Sequence, residues 1–187
     1  MKKLLLCAVF LAPQVATAQS KLTNAVDVSY SYADLRFVNV DRNGGDGFRV
    51  SGSWEADPNW LLVGSITALD YNNNVDTTLL EIGGGYVWHY TDQFDLVSTL
   101  RLVRSEVDIP GSNTDDSGFA LSAGARGLLA PQFEIRAFVN HINLDNSDTY
   151  LELAGDYYLT EQFSAGISLE FAGDNDAFTI GARWYFR

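Results

Sequence analysis

The feature that most constrains this chain is a repeated alternation of apolar and polar residues with a period of two. Phe163, Ala165, Ile167, Leu169 and Phe171 alternate with Ser164, Gly166, Ser168 and Glu170. Successive side chains of a strand point to opposite faces, so such a segment predicts a β-strand with one apolar and one polar face. The apolar faces of six further segments are Val26/Val28/Tyr30/Tyr32, Phe48/Val50/Gly52/Trp54, Leu80/Ile82/Gly84/Tyr86/Trp88, Phe119/Leu121/Ala123/Ala125, Phe133/Ile135/Ala137/Val139 and Phe178/Ile180/Ala182/Trp184/Phe186.

Two kinds of connection alternate between these segments. Tight turns followed by an aromatic residue lie at Asp57–Trp60, Asp92–Phe94, Pro131–Phe133 and Glu161–Phe163. Polar loops rich in Asp, Asn and Gly lie at Asn39–Gly47, Asp70–Thr77, Asp108–Gly118, Asn143–Asp148 and Gly173–Asp176. These connections predict about ten strands, with eight as the alternative. Each strand has roughly 9–13 residues, near the ~9–11 that cross a bilayer at a tilt, and bacterial single-chain barrels have even strand numbers.

A soluble sandwich or lipocalin would also alternate, with its apolar face turned inward. Here aromatic residues gather at the ends of the apolar faces, many beside the tight turns, where a membrane barrel has its interfacial girdle. The polar faces carry charges in mid-strand at Asp27, Arg49, Glu81, Arg101, Arg126, Glu134, Arg136, Glu152, Asp156, Glu170 and Arg183. Only a closed sheet pairs every backbone group in hydrocarbon. We therefore predict an all-β, antiparallel up-and-down transmembrane barrel whose lumen holds these charges.

The N-terminus reads as a secretory leader. Lys2 and Lys3 precede an apolar run from Leu4 to Ala12, and Ala16 and Ala18 flank Thr17 as an A-x-A cleavage site. We predict a signal peptide at residues 1–18 and a mature barrel at residues 19–187. The leader contains Cys7, the only cysteine, so the mature chain has no disulfide framework. It keeps 10 basic and 24 acidic residues, and its formal charge of −14 disfavours nucleic acid.

The last strand carries a further pattern. Thr179, Gly181, Trp184 and Phe186 fit polar-x-Gly-x-x-aromatic-x-aromatic, although Arg187 follows the final aromatic residue. This resembles the signal that is read by the barrel-assembly machinery of Gram-negative outer membranes. An unpaired strand edge offered for pairing is the physical basis of such recognition.

Several segments resemble one kind of protein: Gly83–Tyr86, Phe94–Val97, Gly124–Arg126, Phe133–Glu134 and Ile180–Trp184. The resemblance is to small outer-membrane barrels of xanthomonads and other gammaproteobacteria, OmpA/OmpX-like in style. It implies a location in the cell outer membrane of a Gram-negative bacterium and points to no catalytic motif.

Little in the sequence indicates chemistry. His89 and His141 have no serine nucleophile at a short strand spacing, so we expect no enzyme. No cluster has the spacing of a metal site, and we expect no cofactor or metal. The acidic loops suggest loose bridging to lipopolysaccharide through divalent cations. Eight-stranded barrels are filled and 16–18-stranded barrels conduct, so two interpretations stay open: a largely filled barrel with a structural or envelope-interaction role, or a narrow passive channel for small solutes or ions. An outer-membrane enzyme is a distant third.

Overall fold

The computed structural model describes residues 28–41, 44–72, 74–173 and 175–186. Within them the strands are β1 (Tyr32–Val40), β2 (Gly45–Asp57), β3 (Trp60–Tyr71), β4 (Val75–His89), β5 (Phe94–Ile109), β6 (Ser112–Ala130), β7 (Phe133–Asn143), β8 (Ser147–Tyr158), β9 (Phe163–Phe171) and β10 (Ala177–Tyr185). The predicted leader at residues 1–18 lies outside the described residues and stays a prediction.

The ten strands form one closed antiparallel barrel in which each strand pairs with its neighbours in sequence. The barrel closes where β1 pairs with β10, in a register that runs from Tyr32 opposite Tyr185 to Val40 opposite Ala177. The predicted fold is thereby confirmed, with ten strands and not eight. Among the described residues, no helix has the length and apolarity needed to cross a membrane.

The two faces of the sheet are inverted relative to those of a soluble protein. Large apolar side chains point outward and are exposed. The exposed fraction is 65–69% for Trp54, Ile82 and Leu102. The interior holds charged side chains such as Glu134 and Asp156, both fully buried. An apolar exterior around a polar interior is the arrangement that a barrel in lipid requires.

Aromatic side chains surround the tight-turn end of the barrel. Trp60 at the start of β3 contacts Tyr86 edge-on at 5.1 Å between ring centroids. Phe163 at the start of β9 stacks on Trp184 of β10, and Trp184 in turn contacts Phe186. Such amphipathic rings favour the membrane–water interface, so this girdle marks one edge of the hydrocarbon band.

The predicted facing of the first segment is wrong. The alternation at Val26/Val28/Tyr30/Tyr32 predicted an outward face, but Tyr30 precedes β1 and is only 4% exposed. The outward side chains of β1 are instead Leu35 and Phe37, which are 54% and 36% exposed. A tyrosine has an apolar ring and a polar tip, so it suits a lumen that offers a hydrogen-bond partner as well as it suits lipid.

The predicted loop at Asp108–Gly118 is also wrong. β5 continues to Ile109 and β6 begins at Ser112, so only Pro110 and Gly111 connect them. Gly111 has a φ of 90°, which favours glycine in this two-residue turn. The polar residues of this hairpin extend the sheet beyond the apolar band, where water can cover both faces.

Candidate functional site: the charged lumen

The lumen is the part of the barrel where the described strands bring buried charged groups into contact with one another. On its inward faces lie the predicted residues Arg49, Glu81, Arg101, Arg126, Glu134, Arg136, Glu152, Asp156, Glu170 and Arg183. Asp27, Ala16 and Ala18 lie outside the described residues. Sequence reasoning missed Asp34, Arg36 and Asp95, all of which are buried inside.

Glu134 of β7 is the acceptor at the centre of the charges. Arg126 donates to both of its carboxylate oxygens at 2.9 Å, from Nε and from Nη2. Arg183 and Arg136 each place an Nη1 within 3.5 Å of the same carboxylate. A fully buried carboxylate needs this many donors, because burying it unpaired would cost several kcal/mol.

A second group of ion pairs continues from the first. Arg36 donates from Nε to Asp34 at 2.9 Å and from Nη2 to Asp156 at 2.8 Å. Arg183 reaches Asp34 at 2.9 Å, and Arg136 reaches Asp156 at 2.8 Å. Arg136 and Arg183 therefore link the two groups. Together they form the ion-pair network: Asp34, Arg36, Arg126, Glu134, Arg136, Asp156 and Arg183.

Two glycines make room for this network. A Cβ added at Gly166 would fall on the carboxylate of Asp156, and one added at Gly181 would meet Arg36 and the carbonyl oxygen of Leu35. Both glycines lie on inward faces, opposite each other on β9 and β10. Their missing side chains let long charged groups cross directly over the backbone.

The chain ahead of β1 enters the lumen at the tight-turn end. Tyr30 packs against Leu61, Val87 and Val97 of β3, β4 and β5. Its hydroxyl donates to Asp95 at 2.7 Å, and Arg126 donates to the carbonyl of Ser29 at 3.0 Å. Burial raises the pKa of the Tyr30 hydroxyl well above its ordinary value, so it stays protonated as a donor.

On the opposite wall three more tyrosines complete this layer. Tyr158 of β8 stacks on Tyr185 of β10 at 5.1 Å, and Tyr185 contacts Tyr32 of β1 edge-on. Tyr158 donates to Glu134 at 2.7 Å. The Arg126 guanidinium lies over the rings of Tyr30 and Tyr32, at 4.6 and 5.5 Å from their centroids. These contacts join the two walls across the lumen.

We call this layer the septum. It consists of Tyr30, Tyr32, Leu61, Val87, Asp95, Val97, Arg126, Glu134, Tyr158 and Tyr185. Tyr158 and Tyr185 are at most 1% exposed, and so are Val87 and Glu134. Side chains this inaccessible show that the lumen is tightly packed at this level.

Towards the loop end the lumen opens into a cavity of about 460 Å³. Two further ion pairs cross its wall: Arg49 with Glu170 at 2.6 Å, and Arg101 with Glu81 at 3.3 Å. The wall of this cavity extends from septum residues such as Leu61 and Arg126 to Asn175 near the loops, and we call this space above the septum the loop half of the lumen. A sequence cannot reveal this division, because it depends on which strands face each other across the barrel.

The two histidines make hydrogen bonds to fixed partners. His89 contacts the Asp95 carboxylate through Nδ1 and the Pro58 carbonyl through Nε2, both at 2.9 Å. Both partners are acceptors, so a protonated ring satisfies both. His141 contacts the Thr149 hydroxyl at 2.8 Å. In the described ranges, no group of three or more His, Cys, Asp or Glu residues is arranged to hold a metal ion.

The four residues of the terminal pattern lie on two faces of β10. Trp184 and Phe186 point outward and are each 47% exposed, whereas Thr179 is buried in the lumen beside Ser168, with 2.6 Å between their hydroxyl oxygens. Phe186 also donates its backbone N–H to Ser31 at 2.9 Å. The aromatic half of the pattern thus faces lipid, and the polar half faces inward.

The family model described as "Outer membrane protein beta-barrel domain" matches residues 4–186. The solved structure of the KdgM porin is similar at a TM-score of 0.52 and 11% identity, covering 83% of this chain and 99% of that chain. The NanC porin is similar at a TM-score of 0.54 and 10% identity, and the match covers 82% of this chain and 100% of that chain. Ail of Yersinia pestis has a TM-score of 0.44 and 15% identity, and the match covers 85% of this chain and 100% of that chain. At these identities the porins indicate a shared fold alone. A comparison with curated proteins gives no match.

Proposed function

The chain belongs to the outer membrane protein beta-barrel domain family, and on that premise we propose that it is a non-conducting barrel with a structural or envelope-interaction role. Family and fold make it an integral outer-membrane barrel of a Gram-negative envelope, with a buried interior of charged, salt-bridged side chains. The proposal adds that the septum keeps the lumen shut.

The single observation that carries the proposal is the set of contacts by which the septum connects the two walls of the lumen. Tyr30 bridges the wall formed by Leu61, Val87 and Val97 to Arg126, which in turn binds Glu134. Opening a path would require withdrawing Tyr30 or breaking ion pairs that are out of contact with water. Leaving one partner of a buried pair uncompensated costs about 3–5 kcal/mol, so spontaneous opening is rare.

Recordings from the purified protein in planar lipid bilayers test this. We expect no discrete current steps from the wild-type barrel, at protein concentrations where a general porin gives many. Regular steps of uniform size from the wild type would contradict the proposal.

One observation favours a second candidate, a narrow passive channel for small solutes or ions. The loop half of the lumen is already hollow over about 460 Å³. A solute that entered there would need only the septum to move aside. Uptake of small solutes into vesicles containing the protein would support this reading.

The proposal includes the maturation and surroundings of the barrel. The leader at residues 1–18 is removed after Ala18, the barrel-assembly machinery reads Thr179, Gly181, Trp184 and Phe186, and the acidic loops meet lipopolysaccharide through divalent cations. The apolar exterior and the outward ring of Trp184 support an assembly route of this kind. A mature N-terminus at Gln19, found by mass spectrometry of outer-membrane fractions, tests the first step.

The same proposal assigns no enzymatic role. His89 and His141 each bind partners that hold the ring, namely Asp95 with Pro58, and Thr149. An absence of hydrolysis of phospholipid and peptide substrates by the folded protein is the expected result.

A further inference from the structure

The hollow loop half of the lumen has the form of a binding site. Its cavity of about 460 Å³ begins above the septum and reaches Asp148, Ala172 and Asn175 near the loops. This volume lies within the ~300–1,000 Å³ that is typical of small-molecule sites. What the cavity would bind depends on the polar groups that its wall leaves unused.

One wall offers hydrogen-bond donors without partners. Arg101 donates from Nη2 to Ser122 at 2.7 Å, and Ser122 donates to Oδ1 of Asn140 at 2.5 Å. This chain fixes the orientation of the Asn140 amide. Its Nδ2 is then buried with no hydrogen-bond partner among the described residues, and so is Nε of Arg101. Asn140 is only 3% exposed and lines the cavity.

The opposite wall offers another donor of the same kind. Arg36 lies on β1, which is five strands away from Ser122 on β6 in either direction around the barrel. Its Nε and Nη2 are used by Asp34 and Asp156, but its Nη1 is buried without a partner within the described chain. Arg36 also lines the cavity, so the side chains that carry these unused donors belong to its wall on two opposite sides.

The cavity also has an unused acceptor. Glu152 lines it and lies within electrostatic reach of Arg49, but it makes no direct hydrogen bond or ion pair with another residue in the described ranges. Its neighbour Glu170 is already bound by Arg49 at 2.6 Å. The wall therefore presents spare donors and a spare carboxylate together, with cations and anions close to balance.

This mixture selects among ligand chemistries. An anion would satisfy the donors but would be repelled by Glu152, and a cation would satisfy Glu152 but leave the donors of Asn140 and Arg36 unpaired. A hydroxyl group both donates and accepts, so several of them on one neutral molecule can serve both kinds of group. Burying a polar group without a partner is unfavourable, so this matching determines which ligand the cavity binds.

A third surface fits the same chemistry. On β3 and β4 the inward residues Val63, Leu69 and Leu79 give the cavity an apolar wall. Neutral sugars carry C–H faces between their hydroxyl groups, and these faces can lie on such a wall. We propose that the loop half of the lumen is a binding site for a neutral polyhydroxylated molecule about the size of a mono- or disaccharide.

This inference does not depend on whether the barrel conducts, since a ligand can enter from the loop end of a closed barrel. Isothermal titration calorimetry on the folded protein in lipid nanodiscs tests it, with glucose and maltose as neutral probes. Glucuronate and glucosamine are the charged probes. We expect saturable binding of at least one neutral sugar, and at least tenfold weaker binding of both charged sugars.

Matched variants identify the site. Asn140→Asp keeps the acceptor for Ser122 and replaces the spare N–H donors by a charged carboxylate oxygen, so we expect about tenfold weaker binding of the neutral probe. Ser51→Phe places a large ring into the cavity and should abolish binding. Val139→Ala, next to Asn140 but 53% exposed on the lipid face, should leave binding unchanged. Heat-modifiable migration on gels verifies that each variant is folded.

Three results would overturn the inference. One is the absence of saturable binding of either neutral sugar, which would mean that the cavity takes water only. Another is equal binding of glucuronate or glucosamine, and the third is binding that survives Ser51→Phe in a folded barrel. Current steps from the wild type in bilayers would contradict the proposed function while leaving this site intact, so the two claims fail separately.

Discussion

Arg126 and Glu134 form a two-point ion pair across neighbouring strands, with both hydrogen bonds at 2.9 Å and both side chains at most 3% exposed. Removing the carboxylate would leave the cationic groups of Arg126, Arg136 and Arg183 without their shared acceptor. We predict that Glu134→Ala lowers the free energy of unfolding by about 3–5 kcal/mol, as expected for breaking a buried pair. Urea unfolding of the protein in lipid vesicles measures this.

The control for this prediction is an ion pair in water. Arg104 contacts Glu106 at 3.1 Å, with both side chains about half exposed on the β5–β6 hairpin. Exposed pairs contribute about 0–1 kcal/mol, so Arg104→Ala should have little effect. Equal losses from the two variants would mean that the lumen is wet enough to screen its charges.

A second prediction concerns Tyr30. Tyr30→Ala removes the ring that joins the two walls of the septum, and we expect discrete current steps in planar bilayers. Tyr30→Phe keeps the ring and loses only the bond to Asp95, so it should remain silent. Tyr90→Ala is the matched control, since Tyr90 is 69% exposed at the same end of the barrel. Silence of Tyr30→Ala in a folded barrel would show that other side chains suffice to close the lumen.

Tyr30 also shows where prediction from sequence stops. Alternation predicts strands and their faces wherever the lipid side requires an apolar residue and the lumen side a polar one, as at Ile180 and Thr179. It fails for tyrosine, whose ring suits either side. The facing of Tyr30 is decided by Asp95, its partner 65 residues away in the chain, and by Leu61 and Val87. Such partners appear only once the barrel has closed.

The charges of the lumen show a similar division. Glu134 and Arg183 could be placed inside from alternation alone, but their pairing could not. Asp34 and Arg36 were missed because they lie on the same face as Tyr30 and Tyr32, which was predicted to point outward. Leu35 and Phe37, with which they alternate, are the side chains that point outward. The loop boundaries beyond the membrane, as at Ile109, have no such signal, since water permits polar residues on both faces.

A third prediction tests which face meets lipid. Ile66 lies in the middle of β3 and is 52% exposed, whereas Ser65 lines the cavity and bonds to Glu81. Ile66→Arg should cost about 2–4 kcal/mol of folding free energy near the midplane. Ser65→Arg places its charge beside Glu81 in the cavity and should cost less. The folded fraction recovered in vesicles compares them, and the reverse order would invert the assigned faces.

A fourth prediction concerns the aromatic half of the terminal pattern. The rings of Trp184 and Phe186 contact each other on the lipid face of β10, with 4.8 Å between their centroids. We expect Trp184→Ala with Phe186→Ala to lower the heat-modifiable fraction in outer membranes, while total expression stays constant. Deletion of Arg187, which follows the last aromatic residue, should have little effect. Normal assembly of the double variant would show that the barrel-assembly machinery does not recognise these two residues.

The fifth prediction gives Gly181 a role that recognition does not require. It pairs with Arg36 across the seam between β1 and β10, and an added Cβ would overlap the carbonyl of Leu35. A backbone atom cannot move aside as the end of a flexible side chain can, so Gly181→Ala should force β1 and β10 apart. We expect a lower free energy of unfolding in purified, refolded protein, where no assembly machinery is present. Gly52→Ala is the matched control, because its nearest neighbouring atom would lie 3.5 Å away. If Gly181→Ala instead refolds with wild-type stability but fails to assemble in cells, the glycine acts in recognition and not in closure.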